Sequence, residues 1–294
     1  MDAAQTNGDR VKIWMLQRVD LCQFRRGGIL HLAPIDFDEA TMCLILFAWQ
    51  TQIKLPLLVL ANRDEYFDRP TLPLHRWENT AIYGGKDLSA GGTWLGVHET
   101  GRWAALTNFR RAGSVNANAP SRGHLTEQYL TGDLSPDAYL ASIHGNAKKY
   151  NGFNLLTGTR DQLFYYSNQE GIIHTLSPGV YGLSNSSLNS EWIKVQHGKN
   201  ELEKRLNQAA SENDFFTLMQ DRTLAELDKL PNTGIGTKME EMLSSKFIYI
   251  PNAHYGTRTT TLVKFTDERA EMVECTYENG EPKGSLIRME WEFN

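Results

Sequence analysis

Residues 42–65 read Met-Cys-Leu-Ile-Leu-Phe-Ala-Trp-Gln-Thr-Gln-Ile-Lys-Leu-Pro-Leu-Leu-Val-Leu-Ala-Asn-Arg-Asp-Glu. Two seven-residue apolar runs, 43–49 and 55–61, are parted by Gln50-Thr51-Gln52-Ile53-Lys54. Unbroken apolar character without alternation predicts strands covered on both faces, and the short polar interval predicts that they form a hairpin. A hairpin lays the start of its first strand beside the end of its second, so Cys43 must neighbour Asn62, Arg63 and Asp64. The polar and charged residues Asn62 to Glu65 cannot continue into an apolar core and belong at its rim. Neither run approaches the ~20 residues that a membrane-spanning helix needs.

The pattern outward from this hairpin specifies the rest of the domain. Residues 94–97 and 102–108 predict a second hairpin across His98-Glu99-Thr100-Gly101. Ser121 is expected to cap a helix reaching about Leu130, and Ser135-Pro136 to open another reaching about Tyr150. Residues 153–157, 163–167 and 172–176 read as a meander. Trp192, Val195, Leu202 and Leu206 then hold one face of a helix over 190–209, and Phe215, Leu218 and Met219 mark a shorter one. Residues 246–250, 257–265, 271–277 and 285–293 close the chain as strands. Strands, helices, strands, helices and strands specify an α+β fold with two antiparallel sheets, and residues 42–294 as a single domain. Residues 1–41 have no apolar period and are expected to be a poorly ordered extension. The alternative is that the true start lies at Met42, or that a leader is processed away, and loss of Met42 would leave Cys43 at the amino terminus.

Thirty basic against thirty-five acidic residues give a net charge of −5, and no basic run exceeds the pairs Arg25-Arg26 and Arg110-Arg111. Nucleic-acid binding through the phosphate backbone is thereby excluded as the main role. Cys22, Cys43 and Cys275 are far apart in sequence, which rules out a disulfide framework or a Cys-x-x-Cys site, points to no cofactor and suits a reducing, cytoplasmic setting. The histidines lack metal-ligand spacing, so no metal site is expected. Gly84-Gly85-Lys86-Asp87 lacks the Ser or Thr of a phosphate-binding loop, and no Gly-x-Ser-x-Gly elbow is present. The oligomeric state is not legible.

What remains is the rim. A thiol beside a guanidinium is the arrangement that favours thiolate, which makes Cys43 next to Arg63 a candidate nucleophile. Two plainer readings stand beside it. Arg63, Asp64, Glu65, Asp68 and Arg69 also suit a surface salt-bridge cluster of small energetic weight, and Cys43 suits a small residue of a buried strand.

Asn62-Arg63-Asp64-Glu65 followed by Arg69-Pro70, Met42-Cys43 upstream, Gly91-Gly92-Thr93-Trp94-Leu95-Gly96-Val97, Leu106-Thr107-Asn108-Phe109-Arg110 and Tyr255-Gly256-Thr257-Arg258 together resemble the NRDE family of transport and Golgi organisation proteins. The resemblance runs from Met42 to about Phe265. It implies the αββα four-layer sandwich of N-terminal nucleophile hydrolases, together with links to haem trafficking and to Golgi and lipid homeostasis. More widely the chain is similar to choloylglycine hydrolases and penicillin V acylases, whose amino-terminal cysteine is exposed by loss of a methionine or short leader. That similarity implies Cys43 as nucleophile, with Arg63 and Asp64 matched by position and type although their spacing differs. It also implies Asn108 and Asn185 as donors to an oxyanion, although each equally suits a turn. Asn62 and Arg258 are expected to bind substrate, Arg258 through an anionic group, a role the hydrolase pattern does not assign.

An α-amine, with a reference pKa near ~7.7 to 8.0, can serve as base for its own residue's thiol. Asp64 would hold that amine and Arg63 would favour thiolate. The expected function is an N-terminal cysteine amidase acting on an acyl amide. The alternatives are a non-enzymatic chaperone holding haem or a lipid-like ligand in the same cleft, and a trafficking adaptor whose site residues are dispensable.

Overall fold

Leu44, Leu46 and Ala48 alternate with Ile45, Phe47 and Trp49 along β1 (Cys43–Gln52), and both sets are buried. Burial on both faces is what an unbroken apolar run predicts, and it requires a layer on each side of the sheet. The structure, a computed structural model, describes residues 42–113 and 115–293; the expectations for residues 1–41 lie outside the described residues.

β1 pairs with β2 (Leu55–Tyr66), and β3 (Thr71–Arg76), β4 (Ile82–Asp87), β5 (Leu95–His98) and β6 (Trp103–Asn108) follow. Helices α1 (Gly123–Thr131) and α2 (Pro136–His144) lead to β7 (Phe153–Gly158), β8 (Leu163–Ser167), β9 (Ile172–Thr175) and β10 (Gly179–Leu183). Helices α3 (Ile193–Asn207), α4 (Glu212–Met219) and α5 (Thr237–Met242) come next. The chain then forms β11 (Tyr249–Ile250), β12 (Tyr255–Phe265), β13 (Arg269–Glu278), β14 (Glu281–Pro282) and β15 (Ile287–Glu292). One sheet has the order β10-β1-β2-β12-β13-β14, with β11 on β12 and β15 on β13; the other runs β3-β4-β5-β6-β7-β8-β9.

Three apolar layers join four layers of structure. Between the sheets, Ile45, Phe47, Val59 and Ala61 pack with Val97, Trp103, Leu156 and Tyr165. On the far face of the first sheet, Leu44, Leu46, Leu58 and Leu60 meet Val195 and Leu202 of α3 and Phe215 and Met219 of α4. On the far face of the second, Ala104, Leu155 and Tyr166 meet Leu125 and Tyr129 of α1 and Leu140 of α2. The fold is the expected α+β, αββα sandwich.

Four strands are absent from the sequence reading, one of them the two-residue β14, which contains Pro282. β3, β4 and β10 contain Pro73, Gly84-Gly85 and Gly179 with Gly182, residues that weaken a strand pattern. Gly182 shows why the interruption is needed, since a Cβ there would lie 2.8 Å from Val195 Cγ1 as α3 crosses the sheet. α2 stops at His144 rather than near Tyr150, because Gly145-Asn146 intervenes before a 3-10 turn at Ala147–Lys149. α1 begins after Arg122, which offers no side-chain cap, so Ser121 is not its cap. Of residues 246–250, the pairing to β12 includes Tyr249 and Ile250.

Candidate functional site

The pairing of β1 with β2 sets Cys43 directly opposite Arg63. Residues opposite one another share a face, and Cys43 and Arg63 therefore continue the row of Ile45, Phe47 and Ala61 that looks toward the second sheet. Beyond the apolar row the sheets part, and a cavity of about 380 Å³ opens there, lined by Cys43, Arg63, Asp64 and Asn108.

Asn185 stands just beyond the end of β10 and is fully buried. Its Oδ1 accepts from the Cys43 backbone nitrogen at 3.0 Å, and its Nδ2 donates to the Asn108 carbonyl at 2.9 Å. The Cys43 carbonyl accepts from Ser184 Oγ at 2.8 Å. Met42, also fully buried, donates its amide to the Tyr255 hydroxyl at 2.6 Å and accepts from the Asp64 amide at 3.1 Å. Cys43 is thus held by its backbone from the segment after β10, and the residue before it from β2 and β12.

The Arg63 guanidinium lies over the Trp94 ring, 4.3 Å from its centroid, and donates to Thr71 Oγ1 and Asp87 Oδ2, both at 3.1 Å. Arg69 Nε donates to the same Asp87 oxygen at 2.7 Å. Asp64 is buried; Oδ1 accepts from Thr257 Oγ1 at 2.6 Å, and Oδ2 has no hydrogen-bond partner among the described residues. Burial raises the Asp64 carboxyl well above the usual carboxylate range, against the pull of Lys194, which is itself buried on α3 and lowered by burial. Burial, then the Asp64 charge, pushes the Cys43 thiol up to about 12; the Asp64 backbone and the Arg63 charge pull it down by less. With Cys43 in peptide linkage, Arg63 does not by itself produce a thiolate.

Cys43, Arg63, Asp64, Asn108 and Asn185 are brought together. Asn62 is not, because strand alternation turns it to the helix side, where Nδ2 donates to the Met219 and Lys246 carbonyls at 2.9 and 2.8 Å. Arg258 sits at a bulge: Thr257 pairs with Asp64 and Thr259 with Arg63, leaving Arg258 as the extra residue. Its Nη1 donates to the Tyr66 and Arg69 carbonyls, both at 2.8 Å, and it lines a second cavity of about 410 Å³ that shares Arg63 with the first. The sequence reading missed Asp87, Trp94, Arg122 and Lys194 as site residues. Trp94 lay inside a quoted motif; Arg122 and Lys194 carried no local signal. Among the described residues no cluster of three or more His, Cys, Asp or Glu side chains is placed to hold a metal ion, and no helix is long and apolar enough to cross a membrane.

Residues 42–279 match the family described as Transport and Golgi organisation 2. The Transport and Golgi organization 2 homolog of Mus musculus is 33% identical over 245 residues, covering 76% of this chain and 88% of the mouse protein. The Transport and Golgi organization protein 2 of Drosophila melanogaster is 31% identical over 271 residues, covering 83% and 95%. Among solved structures, a mutant of the conjugated bile acid hydrolase from Clostridium perfringens superposes with a TM-score of 0.41 at 11% identity, covering 84% of this chain and 92% of that one.

Proposed function

The chain belongs to the Transport and Golgi organisation 2 family, and we propose that Cys43 is the nucleophile of an acyl-amide hydrolase site that is completed when cleavage after Met42 frees its α-amine. The observation that carries this reading is the hold of Asn185 on the Cys43 nitrogen, 3.0 Å away, at the wall of a cavity shared with Arg63, Asp64 and Asn108. Any buried amide at a strand end needs an acceptor, and this one gains a second use once the nitrogen is an amine acting as base, whose position must be fixed.

The raised thiol explains why a base is required. A thiol at about 12 is almost wholly protonated near neutrality, so attack must be coupled to proton removal. The freed amine takes the thiol proton, and sulfur attacks the acyl carbon. The amine then returns that proton to the leaving nitrogen as the C–N bond breaks, leaving a thioester. Water gives a proton to the amine and attacks the thioester, the C–S bond breaks, and the acid departs as the sulfur recovers its proton. Asn185 holds the amine, Asn108 borders the space where the oxyanion forms, and Asp64 lies against the same backbone. A cytoplasmic setting, which keeps the thiol reduced, is part of this reading.

Intact mass and turnover test it together. The expected species begins at Cys43 and releases amine from some member of an acyl-amide panel, with Cys43→Ala inactive. A stable species that retains Met42 and turns over nothing would sink the reading.

One observation favours a second reading. Met42 is fully buried among Met239, Leu243, Ile248, Ile250 and Tyr255, a fit suited to a methionine that stays. The cavity of such a chain would hold haem or a lipid-like ligand without turnover. Titration of either would then give an affinity that Cys43→Ala changes by less than about tenfold, or ~1.4 kcal/mol.

A further inference from the structure

The charges around Cys43 close among themselves until one is left over. Arg63 Nη2 lies 3.7 Å from Glu65 and 3.1 Å from Asp87, and Arg69 Nε lies 3.5 Å and 2.7 Å from the same two carboxylates. Two guanidiniums and two carboxylates balance. Asp64 is set against Lys194, whose ammonium donates to the Leu243 carbonyl at 2.9 Å. The two are not in ion-pair contact, but each exerts the largest charge effect on the other.

Arg122 lines the same cavity from the segment entering α1, and nothing balances it. Its Nη1 donates to the Gly152 carbonyl at 3.0 Å, and no carboxylate of the described residues lies within ion-pair distance of it. Glu65 acts on it only from farther away and is already shared by Arg63 and Arg69. Burial lowers the guanidinium to about 10; the Cys43 sulfur, when ionised, and then Glu65 pull it back, and the Arg69 charge adds to the lowering. A recessed cation with unused planar donors regains by binding an anion what it lost in hydration. The same wall carries Ser121 and Asn116, and Asn151 holds it in place by bonding both the nitrogen and the carbonyl of Asn116.

We propose that Arg122 receives an anionic group of the substrate, a carboxylate, sulfonate or phosphate, so that the site selects acyl amides carrying negative charge within reach of the scissile bond. This rests on the reading of Cys43 as nucleophile. Arg122 is a specificity residue in it. A competing role for Arg122 is counter-ion to the Cys43 thiolate, and the experiment separates the two.

Iodoacetate and iodoacetamide alkylate sulfur by the same displacement of iodide and differ in charge. The ratio of their rates at Cys43, located by peptide mass spectrometry in the full chain and divided by the ratio for glutathione, reads anion preference without any turnover. The wild type is expected to favour iodoacetate about tenfold, Arg122→Gln to fall to the glutathione ratio, and Arg122→Lys to keep part of the preference. A wild-type ratio equal to that of glutathione, or a Cys43 that neither reagent reaches, overturns the proposal. So does an Arg122→Gln chain whose two rates fall together, which is the counter-ion result. If no acyl amide is turned over while the charge preference stands, the hydrolase reading fails and the anion site survives it.

Discussion

The amide nitrogen of Cys43 and the side-chain oxygen of Asn185 are hydrogen-bonded at 3.0 Å across a separation of 142 residues. The same side chain reaches the Asn108 carbonyl at 2.9 Å, so one amide ties the first strand of one sheet to the end of β6 in the other. Asn185→Leu strands a buried donor and an acceptor together. The expected loss is about 1–3 kcal/mol, read from urea midpoints at unchanged slope, together with a changed rate of Cys43 alkylation. A loss below about 0.5 kcal/mol would show that water replaces the tie at no cost.

A second tie between the sheets makes stability depend on pH. Glu274 of β13 is buried, accepts from the Leu74 amide of β3 at 2.8 Å and from Thr261 Oγ1 at 3.1 Å, and burial pushes its carboxyl from 4.5 to about 7. Between those two values the folded chain keeps a proton that the unfolded chain releases, so stability falls as pH rises through the window. The full penalty above the window is on the order of 3 kcal/mol. Glu274→Gln keeps the acceptor for Leu74 and removes the titration. Urea midpoints from pH 4 to 8 should therefore decline less steeply in this variant, the remaining decline belonging to Asp64, which burial raises in the same direction, and an unchanged decline would show that Glu274 is not among the groups responsible.

The hairpin was legible because two-sided burial writes itself as an unbroken apolar run, and it set Cys43 among Asn62, Arg63 and Asp64; which of the three faces it depends on the irregularity between Trp49 and Gln52, which the sequence does not reveal. The parity that sends Asn62 to the helix side was also present in the sequence, since Asn62 stands two residues after Leu60. Arg258 was not legible, because an extra residue in a strand leaves no trace in composition. Arg122 and Lys194 owe their meaning to distant elements that fold over them, and in the sequence each is one cation among thirty.

Gly92 tests the loop that borders the cavity. It adopts φ +75°, and a Cβ there would lie 2.3 Å from the backbone carbon of Gly123, at the start of α1. Neither the dihedral nor the backbone contact can relax by moving a side chain, so Gly92→Ala should cost about 2–4 kcal/mol. Gly113→Ala has a similar φ of +72° but meets nothing within 4 Å, and should cost only the conformational part, about 1 kcal/mol. Equal losses in thermal or urea unfolding would remove the close approach from the argument.

Asn62 and Arg63 are adjacent in sequence and opposite in role. Asn62 is buried and fully engaged: Nδ2 donates to the Met219 and Lys246 carbonyls, and Oδ1 accepts from Thr260 Oγ1 at 2.7 Å. It pins the end of α4 and the segment before β11 to the sheet, on the face away from Cys43. Asn62→Ala orphans those groups and should cost about 2–4 kcal/mol in urea unfolding. In the folded protein it should leave the rate of Cys43 alkylation within about twofold, because no contact carries the change to the other face. Arg63→Gln should do the reverse at Cys43: it removes a charge that lowers the thiol, and alkylation slows at every pH where the thiol is mostly protonated. If Asn62→Ala slows alkylation as much as Arg63→Gln does while unfolding at the wild-type urea concentration, the division of this motif between scaffold and site is wrong.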